Sequence, residues 1–162
     1  DIGASNGGFT SCLLMNGAAK VYAVDVGECA LPEKLKTDPR VKVMDKTNAR
    51  FLTADNLGAQ CDFVCIDVSF ISLELILPAA AGLIGEGGHI IALIKPQFEV
   101  GKKALSMRGI VVNARERERA VDKIRGAAAA CGLLEENFTV APVRENKNIE
   151  YLILFTKKLL YK

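Results

Sequence analysis

Residues 1–10, Asp-Ile-Gly-Ala-Ser-Asn-Gly-Gly-Phe-Thr, decide the fold that this sequence predicts. Three glycines, Gly3, Gly7 and Gly8, follow the apparent end of a strand, and an apolar helical run begins directly after them. Glycine in such a turn permits positive φ and a close approach to a ligand, and the free N–H groups of the helix start attract polar groups. The next strand ends in an acid, Asp25. This order of elements predicts a nucleotide-binding half-unit.

The composition indicates an ordinary globular domain. Half of the 162 residues are apolar and a quarter are charged, which suffices for a core without disulfides. No apolar run reaches the roughly 18–20 residues that span a bilayer, and no secretory signal is visible. The five cysteines lack CxxC spacing and only one histidine accompanies them, so we expect reduced thiols in the cytosol and no metal site.

The charge of the chain does not by itself name a partner. The net charge is +2, with basic residues concentrated in segments 34–50 and 102–108. Such patches suit a polyanion, although most charge runs are solvated faces. Nucleic-acid binding therefore stays open at this point.

Strands and helices alternate along the sequence, which predicts an α/β fold with a mostly parallel, doubly wound sheet. We predict strands at 21–26, 41–44, 63–68 and 89–94, and helices at 73–84 and 114–131. The glycines at 85–88 are expected to stop the first of these helices. Two late strands, 138–143 and 149–155, are separated by a polar turn at 144–148 and predict an antiparallel hairpin.

Charged residues follow the apolar strands at the edge where such sheets bind ligands. Asp25 is placed to accept hydrogen bonds from a ribose diol, although a turn or cap aspartate would look the same. Asp67 and Lys95 end two buried strands that can be neighbours, as a catalytic pair or a structural ion pair. Asn48 could face an adenine or simply serve its turn. The single histidine, His89, is expected to be structural.

Seven motifs occur in a fixed order over nearly the whole chain: 1–10, 21–27, 38–41, 46–50, 66–72, 95–99 (Lys-Pro-Gln-Phe-Glu) and 148–151. In this series the sequence resembles the TlyA group of FtsJ-like methyltransferases, which are often labelled haemolysins. The resemblance implies a Rossmann-like class I fold that uses S-adenosylmethionine for 2′-O-methylation of ribosomal RNA. It also implies ribosomal RNA or ribosomal subunits as partners and a cytoplasmic location. Residues 113–114, Asn-Ala, depart from the Asp-Pro of many relatives.

The resemblance also assigns site residues. Family members carry a Lys-Asp-Lys-Glu tetrad, whose last three members match Asp67, Lys95 and Glu150. The cofactor-binding residues that it implies are Asp1, Gly3, Ala4, Ser5, Gly7, Gly8, Phe9, Asp25, Val26, Asn48 and Asp67. The first lysine of the tetrad and a small RNA-binding domain lie before the glycine loop in the family. We therefore expect residues 1–162 to be a methyltransferase domain that lacks most of its first strand, with those parts preceding Asp1 in the native protein.

The chemistry leaves the role of Lys95 open. A ribose hydroxyl needs a base, and Lys95 is a base only when it is neutral. Nearby carboxylates favour the ammonium form, and the upstream lysine would oppose them. Lys95 could thus take the proton, or it could orient the hydroxyl while a carboxylate helps.

Three other functions compete with RNA methylation. A nicotinamide-dependent oxidoreductase shares this layout, but its usual G-x-G-x-x-G loop differs from the G-x-x-x-G-G of this chain. A pore-forming haemolysin would need a membrane-spanning or strongly amphipathic element, and none is visible. A non-catalytic RNA-binding module could keep a cofactor-binding fold.

Overall fold

A mixed β-sheet organises the computed structural model of this protein, which describes residues 1–142 and 146–158. Its strands are β1 (Val21–Val24), β2 (Val41–Met44), β3 (Cys61–Ile66), β4 (Ile84–Ile94), β5 (Leu133–Val140) and β6 (Tyr151–Lys157). The first two strands pair in parallel, as do β3 and β4. The strand β6 lies antiparallel between β4 and β5. The predicted parallel sheet with a late antiparallel hairpin is confirmed.

Ile2 joins the two halves of this sheet. It forms parallel bridges to Val24 of β1 and to Ile66 of β3. Its N–H donates to the Cys65 carbonyl at 2.8 Å, and its own carbonyl accepts from Asp67 N–H at 2.9 Å. The strand order through this junction is therefore β2, β1, Ile2, β3, β4, β6, β5.

Both faces of the sheet are covered. The helices are α1 (Gly8–Met15), α2 (Glu33–Lys36), α3 (Ala54–Leu57), α4 (Leu77–Leu83), α5 (Pro96–Glu99) and α6 (Ala114–Ala130). Ala23 belongs to a small apolar cluster with Leu31, whereas the next residue, Val24, belongs to the main core with Ile66 and Ile124. Alternating sides along β1 thus carry different cores, as the pleat of a strand requires.

Several predicted boundaries are corrected. The strand β1 ends at Val24 and not at the predicted residue 26. The chain turns there, because the Asp25 carboxylate accepts a hydrogen bond from Gly27 N–H at 2.9 Å. The predicted helix 73–84 is a 3₁₀ turn, Leu73–Leu75, followed by α4, which has proline at its start, where the missing N–H costs nothing. The next strand includes the glycines at 85–88, which form a bulge against β3 instead of a loop.

Smaller corrections concern the ends of other elements. The strand β3 both begins and ends two residues before the predicted 63–68, and α6 ends one residue before the predicted 114–131. The late strands lie at 133–140 and 151–157 instead of 138–143 and 149–155. Residue 143 of the predicted strand 138–143 and residues 144–145 of the predicted turn 144–148 lie outside the described residues.

The five cysteines are free thiols. Cys12 is exposed, while burial raises the pKa of Cys65 to about 11. Burial, with an additional contribution from Asp45, raises the pKa of Cys29 to about 12. His89 lies at the far end of its strand from Lys95, with its Nε2 3.5 Å from a Glu136 carboxylate oxygen. Among the described residues, no helix is both long and apolar enough to cross a membrane.

Two glycines of this fold are expected to respond oppositely to alanine. Gly3 has φ +82°, and a Cβ there would lie 2.1 Å from the Asp67 carbonyl oxygen. We expect Gly3→Ala to lower the free energy of unfolding by more than about 3 kcal/mol. Gly126 lies inside α6 with nothing near its Cβ position, so Gly126→Ala should stabilise by about 0.5–1 kcal/mol. Urea unfolding of both variants measures this, and equal effects would contradict the steric argument.

Candidate functional site

Asp1, the first residue of the glycine loop, holds the loop against α1. The Asp1 carboxylate accepts hydrogen bonds from the Thr10 N–H at 2.8 Å and the Thr10 hydroxyl at 2.6 Å, and Thr10 is fully buried. Gly7 caps α1 with φ +79°, and a Cβ there would lie 2.5 Å from Leu31 Cδ2. The loop is therefore tied to α1 on one side and packed against Leu31 on the other.

Asp25 is held at the carboxyl end of β1. Its Oδ2 accepts from Ser5 N–H at 3.0 Å, and its Oδ1 accepts from Gly27 N–H at 2.9 Å. A carboxylate offers about four acceptor positions, so two remain for a ligand. The side chain is thus oriented before any ligand arrives.

A first cavity of about 510 Å³ opens beside this carboxylate. Six of the predicted cofactor-binding residues line it, namely Gly3, Ser5, Asp25, Val26, Asn48 and Asp67. Its apolar wall includes Val68, Ile71 and Ile76. The other five predicted residues, Asp1, Ala4, Gly7, Gly8 and Phe9, do not line this cavity.

Asn48 stabilises its own turn, as one of its two predicted roles requires. Its side-chain oxygen accepts from Arg50 N–H at 3.1 Å and caps a 3₁₀ turn, Ala49–Phe51. Asn48 also lines the first cavity, so its role toward a ligand stays a prediction.

A second cavity, of about 550 Å³, brings the predicted catalytic residues together. Asp67, Lys95 and Glu150 line it, together with Phe9 and Gln97. Asp67 also lines the first cavity and therefore lies at the boundary between the two. Three side chains from separate strand ends thus meet at one place.

Lys95 is the centre of this group. Its Nζ lies 2.6 Å from Asp67 Oδ1 and donates a hydrogen bond to the Ser69 hydroxyl at 3.0 Å. The contact with Asp67 is an ion pair at hydrogen-bonding distance, so the ammonium balances the charge at Oδ1. The Lys95 side chain is only 14% exposed. The pair is thus a close ion contact between a largely buried ammonium and a partly exposed carboxylate.

The sequence-based search missed several residues of the site. Gln97 donates from Nε2 to a Glu150 carboxylate oxygen at 2.9 Å. Phe70 is 91% exposed, has φ +64°, and packs its ring 5.1 Å from that of Phe98. The motif 95–99 contained two of these residues, and its unusual sequence was the signal that could have identified them.

A buried charge cluster at Glu99 supports the segment 67–73 beside the site. Glu99, whose side chain is 1% exposed, lies with its carboxylate 3.2 Å from Lys123 Nζ. Burial opposes the charge of Lys123, but hydrogen bonds to Glu74 and Glu99 outweigh it and raise the pKa of Lys123. This lysine therefore stays charged at neutral pH and balances Glu99.

The predicted basic segment is partly neutralised by local partners. Arg40 pairs with Asp38 at 2.8 Å, and Lys46 pairs with Glu28 at 2.9 Å. Within the described ranges, no group of three or more His, Cys, Asp or Glu residues could hold a metal ion.

Comparison with known proteins gives a consistent family. The model of the FtsJ-like methyltransferases matches residues 1–157. The chain is 42% identical over 154 residues to the 16S/23S rRNA (cytidine-2′-O)-methyltransferase TlyA of Mycobacterium tuberculosis, covering 94% of this chain and 58% of that protein. The chain spans 55–65% of the length of the curated relatives it matches.

Solved structures agree with this similarity. A Lactococcus lactis protein, provisionally named a hemolysin, has a TM-score of 0.93 at 38% identity, covering 98% of this chain and 76% of that one. The N-methyltransferase NodS of Bradyrhizobium japonicum, in complex with S-adenosyl-L-homocysteine, has a TM-score of 0.66 at 14% identity, covering 96% and 75%. The second likeness concerns the fold alone.

Proposed function

The chain belongs to the FtsJ-like methyltransferase family, and on that premise we propose that it transfers a methyl group from S-adenosylmethionine to a ribose 2′-hydroxyl of ribosomal RNA. The observation that carries the proposal is the Asp67–Lys95 contact of 2.6 Å at the boundary between two cavities. A donor in one cavity and an acceptor in the other would meet at this pair. A ribosomal RNA substrate also implies a cytoplasmic location.

The first cavity fits the proposed cofactor. Its volume of about 510 Å³ lies within the usual range for small-molecule sites. The Asp25 carboxylate has two acceptor positions left for a ribose diol, and the apolar wall at Ile71 and Ile76 suits an adenine ring. When bound, S-adenosylmethionine supplies an electrophilic methyl group on a positively charged sulfur.

The second cavity fits the acceptor nucleotide. Lys95, Asp67 and Glu150 line it, so a ribose hydroxyl there would meet one donor group and two carboxylates. Methyl transfer needs alignment of the oxygen with the methyl carbon, which held side chains supply. The exposed ring of Phe70, which lines the first cavity, adds a flat apolar surface beside the site.

We assign the proton to the Asp67 side of the pair. An ammonium has no lone pair, so a charged Lys95 can hold the ribose oxygen but cannot accept its proton. Asp67 Oδ1 lies 2.6 Å from Lys95 Nζ, so a hydroxyl held by Lys95 would lie beside this carboxylate. Lys95 then orients the hydroxyl and stabilises the charge that develops on its oxygen, while the proton moves to the carboxylate.

The family match argues against the oxidoreductase alternative. It covers residues 1–157, and the glycine loop and Asp25 that suggested a dinucleotide site lie within it. The haemolysin alternative has support in the names of several relatives, including Hemolysin A of Brachyspira hyodysenteriae and the Lactococcus lactis structure. A buried ion pair by itself would also suit a non-catalytic RNA-binding role. The position of this pair favours catalysis, because Asp67 lines both cavities and Lys95 lines the second.

We also propose that strand residues, the first tetrad lysine and an RNA-binding domain precede Asp1 in the native protein. The strands β1 and β3 flank a cavity of about 340 Å³ lined by Asp1, Val21, Tyr22, Phe63 and Val64. A strand in this slot would pair with backbone groups on both sides, since buried N–H and C=O groups need partners.

The role of Asp25 can be tested by calorimetry. Asp25→Ala should weaken binding of S-adenosyl-L-homocysteine by about 1.5–3 kcal/mol, as expected for a charge-assisted hydrogen bond. Asp25→Asn, which keeps one acceptor oxygen, should lose less. The unmodified protein should give no heat with NAD. Unchanged affinity in Asp25→Ala would exclude the ribose contact.

Lys95 should act in turnover and not in cofactor binding. We expect Lys95→Ala in the full natural chain to lower methyl transfer to ribosomal RNA by roughly 10²-fold or more while leaving cofactor affinity nearly intact. Lys95→Arg keeps the charge but cannot act as a base at neutral pH, so residual activity there supports the orienting role. The product nucleotide should resist alkaline cleavage at its 3′ phosphate, and a base-methylated product in mass spectrometry would refute the proposed chemistry.

The chain extended at its amino end provides the third test. Residues 1–162 alone should bind RNA weakly, since a net charge of +2 neutralises few phosphates. They should also transfer no methyl group, whereas a chain carrying the preceding lysine and RNA-binding domain should be active. Full activity of residues 1–162 in a radiolabelled methyl-transfer assay would show that the first tetrad position is dispensable.

A further inference from the structure

The single helical turn α5, directly after Lys95, directs three side chains to three parts of the site. Gln97 donates to Glu150 at 2.9 Å. The Phe98 ring lies 5.1 Å from that of Phe70. Glu99 accepts from the Leu73 N–H at 2.8 Å. A turn of only four residues thus contacts both neighbouring segments of the active-site edge.

We propose that Gln97 and Glu99 are positioning residues for methyl transfer: Gln97 fixes the Glu150 carboxylate, and Glu99 fixes the segment 67–73 that begins at Asp67. The inference rests on the proposed function, because it names further residues that serve the same site.

The orientation of the Gln97 amide serves Glu150. A carboxylate only accepts hydrogen bonds, so the amide must present its NH₂ group to Glu150. This leaves Gln97 Oε1 buried and without a donor among the described residues. A buried unpaired acceptor costs stability, and such groups concentrate where function requires them. The bond to Glu150 therefore sets the orientation of the amide.

Glu99 accepts hydrogen bonds from the segment 67–73 and from Lys123 of α6. Its Oε1 accepts from Leu73 N–H at 2.8 Å, and its Oε2 accepts from the Ser72 hydroxyl at 2.5 Å and from Lys123 at 3.2 Å. The side chain is 1% exposed, so these bonds have little competition from water. Glu99 therefore anchors the far end of the segment that starts at Asp67.

The segment needs such an anchor. Phe70 has φ +64°, a conformation that bulky residues rarely adopt and that persists only where surrounding contacts impose it. The ring contact with Phe98 and the Glu99 bonds to Ser72 and Leu73 supply those contacts. Because Ser69 lies in the same segment and accepts from Lys95, its position depends on them as well.

The two residues predict different kinetic signatures. Gln97 and Glu150 both line the second cavity and not the first, so losing their bond should affect turnover alone. The segment held by Glu99 lines the first cavity at Val68, Ser69 and Phe70, so losing Glu99 should also weaken cofactor binding. A merely structural role would lower the melting temperature of both variants without separating an effect on turnover from an effect on cofactor binding.

Gln97→Met tests the first half, because methionine has similar length and no N–H donor. We expect kcat to fall roughly ten-fold, with S-adenosyl-L-homocysteine affinity within about two-fold of the unmodified protein. In a Glu150→Ala background the same substitution should have no further effect, because Gln97 acts through Glu150. Gln60→Met, at an exposed glutamine before β3, is the matched control and should leave activity unchanged.

A multiplied loss in the double variant, or an unchanged kcat in Gln97→Met, would overturn the role of Gln97. A crystal structure of Gln97→Met with the Glu150 carboxylate in its original place would do the same without any activity measurement.

Glu99→Ala and Glu99→Gln test the second half by hydrogen exchange and calorimetry. In Glu99→Ala the Leu73 amide should exchange at least ten-fold faster, and S-adenosyl-L-homocysteine should bind at least five-fold more weakly, on the order expected for a lost bond to a charged group. Glu99→Gln retains an acceptor for the Leu73 N–H and should recover part of both effects. Glu118→Gln, on the exposed part of α6, is the control.

These readouts separate the two proposals. If the unmodified full chain methylates no ribosomal RNA, the proposed function fails, while the Leu73 exchange rate, the ligand affinity and the Glu150 position still decide the inference. If the full chain is active but Leu73 exchange and cofactor affinity are unchanged in Glu99→Ala, Glu99 is not a positioning residue. Should Glu99→Ala not fold, the same measurements on Glu99→Gln decide, and values identical to the unmodified protein count against the role.

Discussion

The approach of Gly3 to the backbone of Asp67 is the contact on which the site depends. Any side chain at Gly3 would meet the Asp67 carbonyl, so the glycine loop and the end of β3 lie as close as two backbones can. The loop carries the Ser5 N–H that orients Asp25, and the end of β3 carries the carboxylate that contacts Lys95. One backbone contact therefore sets the distance between the ligand-binding half and the catalytic half of the sheet.

Charge at the active edge is organised by neighbouring backbone and side-chain groups and not by depth of burial. The Asp25 carboxylate is oriented by two N–H groups, Lys95 by a hydroxyl and a carboxylate, and Glu99 by a lysine and an N–H. Oriented groups of this kind need little rearrangement when a ligand arrives, which is the physical basis of electrostatic preorganisation. Flexible surface charges such as Lys46 and Glu28, in contrast, form exposed pairs that contribute little.

Local sequence identified the charged residues that follow the strands, but it predicted several strand boundaries and the contacts between strand ends poorly. Asp25, Asp67 and Lys95 could be identified because each follows an apolar run, and parallel strands bring such ends to one edge. The family resemblance supplied Glu150. The bond from Gln97 to Glu150 joins residues far apart in sequence, and no periodicity encodes it. The glycines at 85–88 predicted a break, but they lie within β4. A bulge against β3 accommodates them there, although such residues normally end an element.

The helical turn Pro96–Glu99 also limits which insertions and deletions this segment can accept. Gln97, Phe98 and Glu99 have different partners, and each partner is reached because the residue has a fixed angular position around one helical turn. A single inserted or deleted residue would rotate all later side chains by roughly 100°, the angle that follows from 3.6 residues per turn. Exchanging a side chain removes one partner, whereas changing the register removes them all. Mutational tolerance in this segment is therefore governed by residue count more than by residue type.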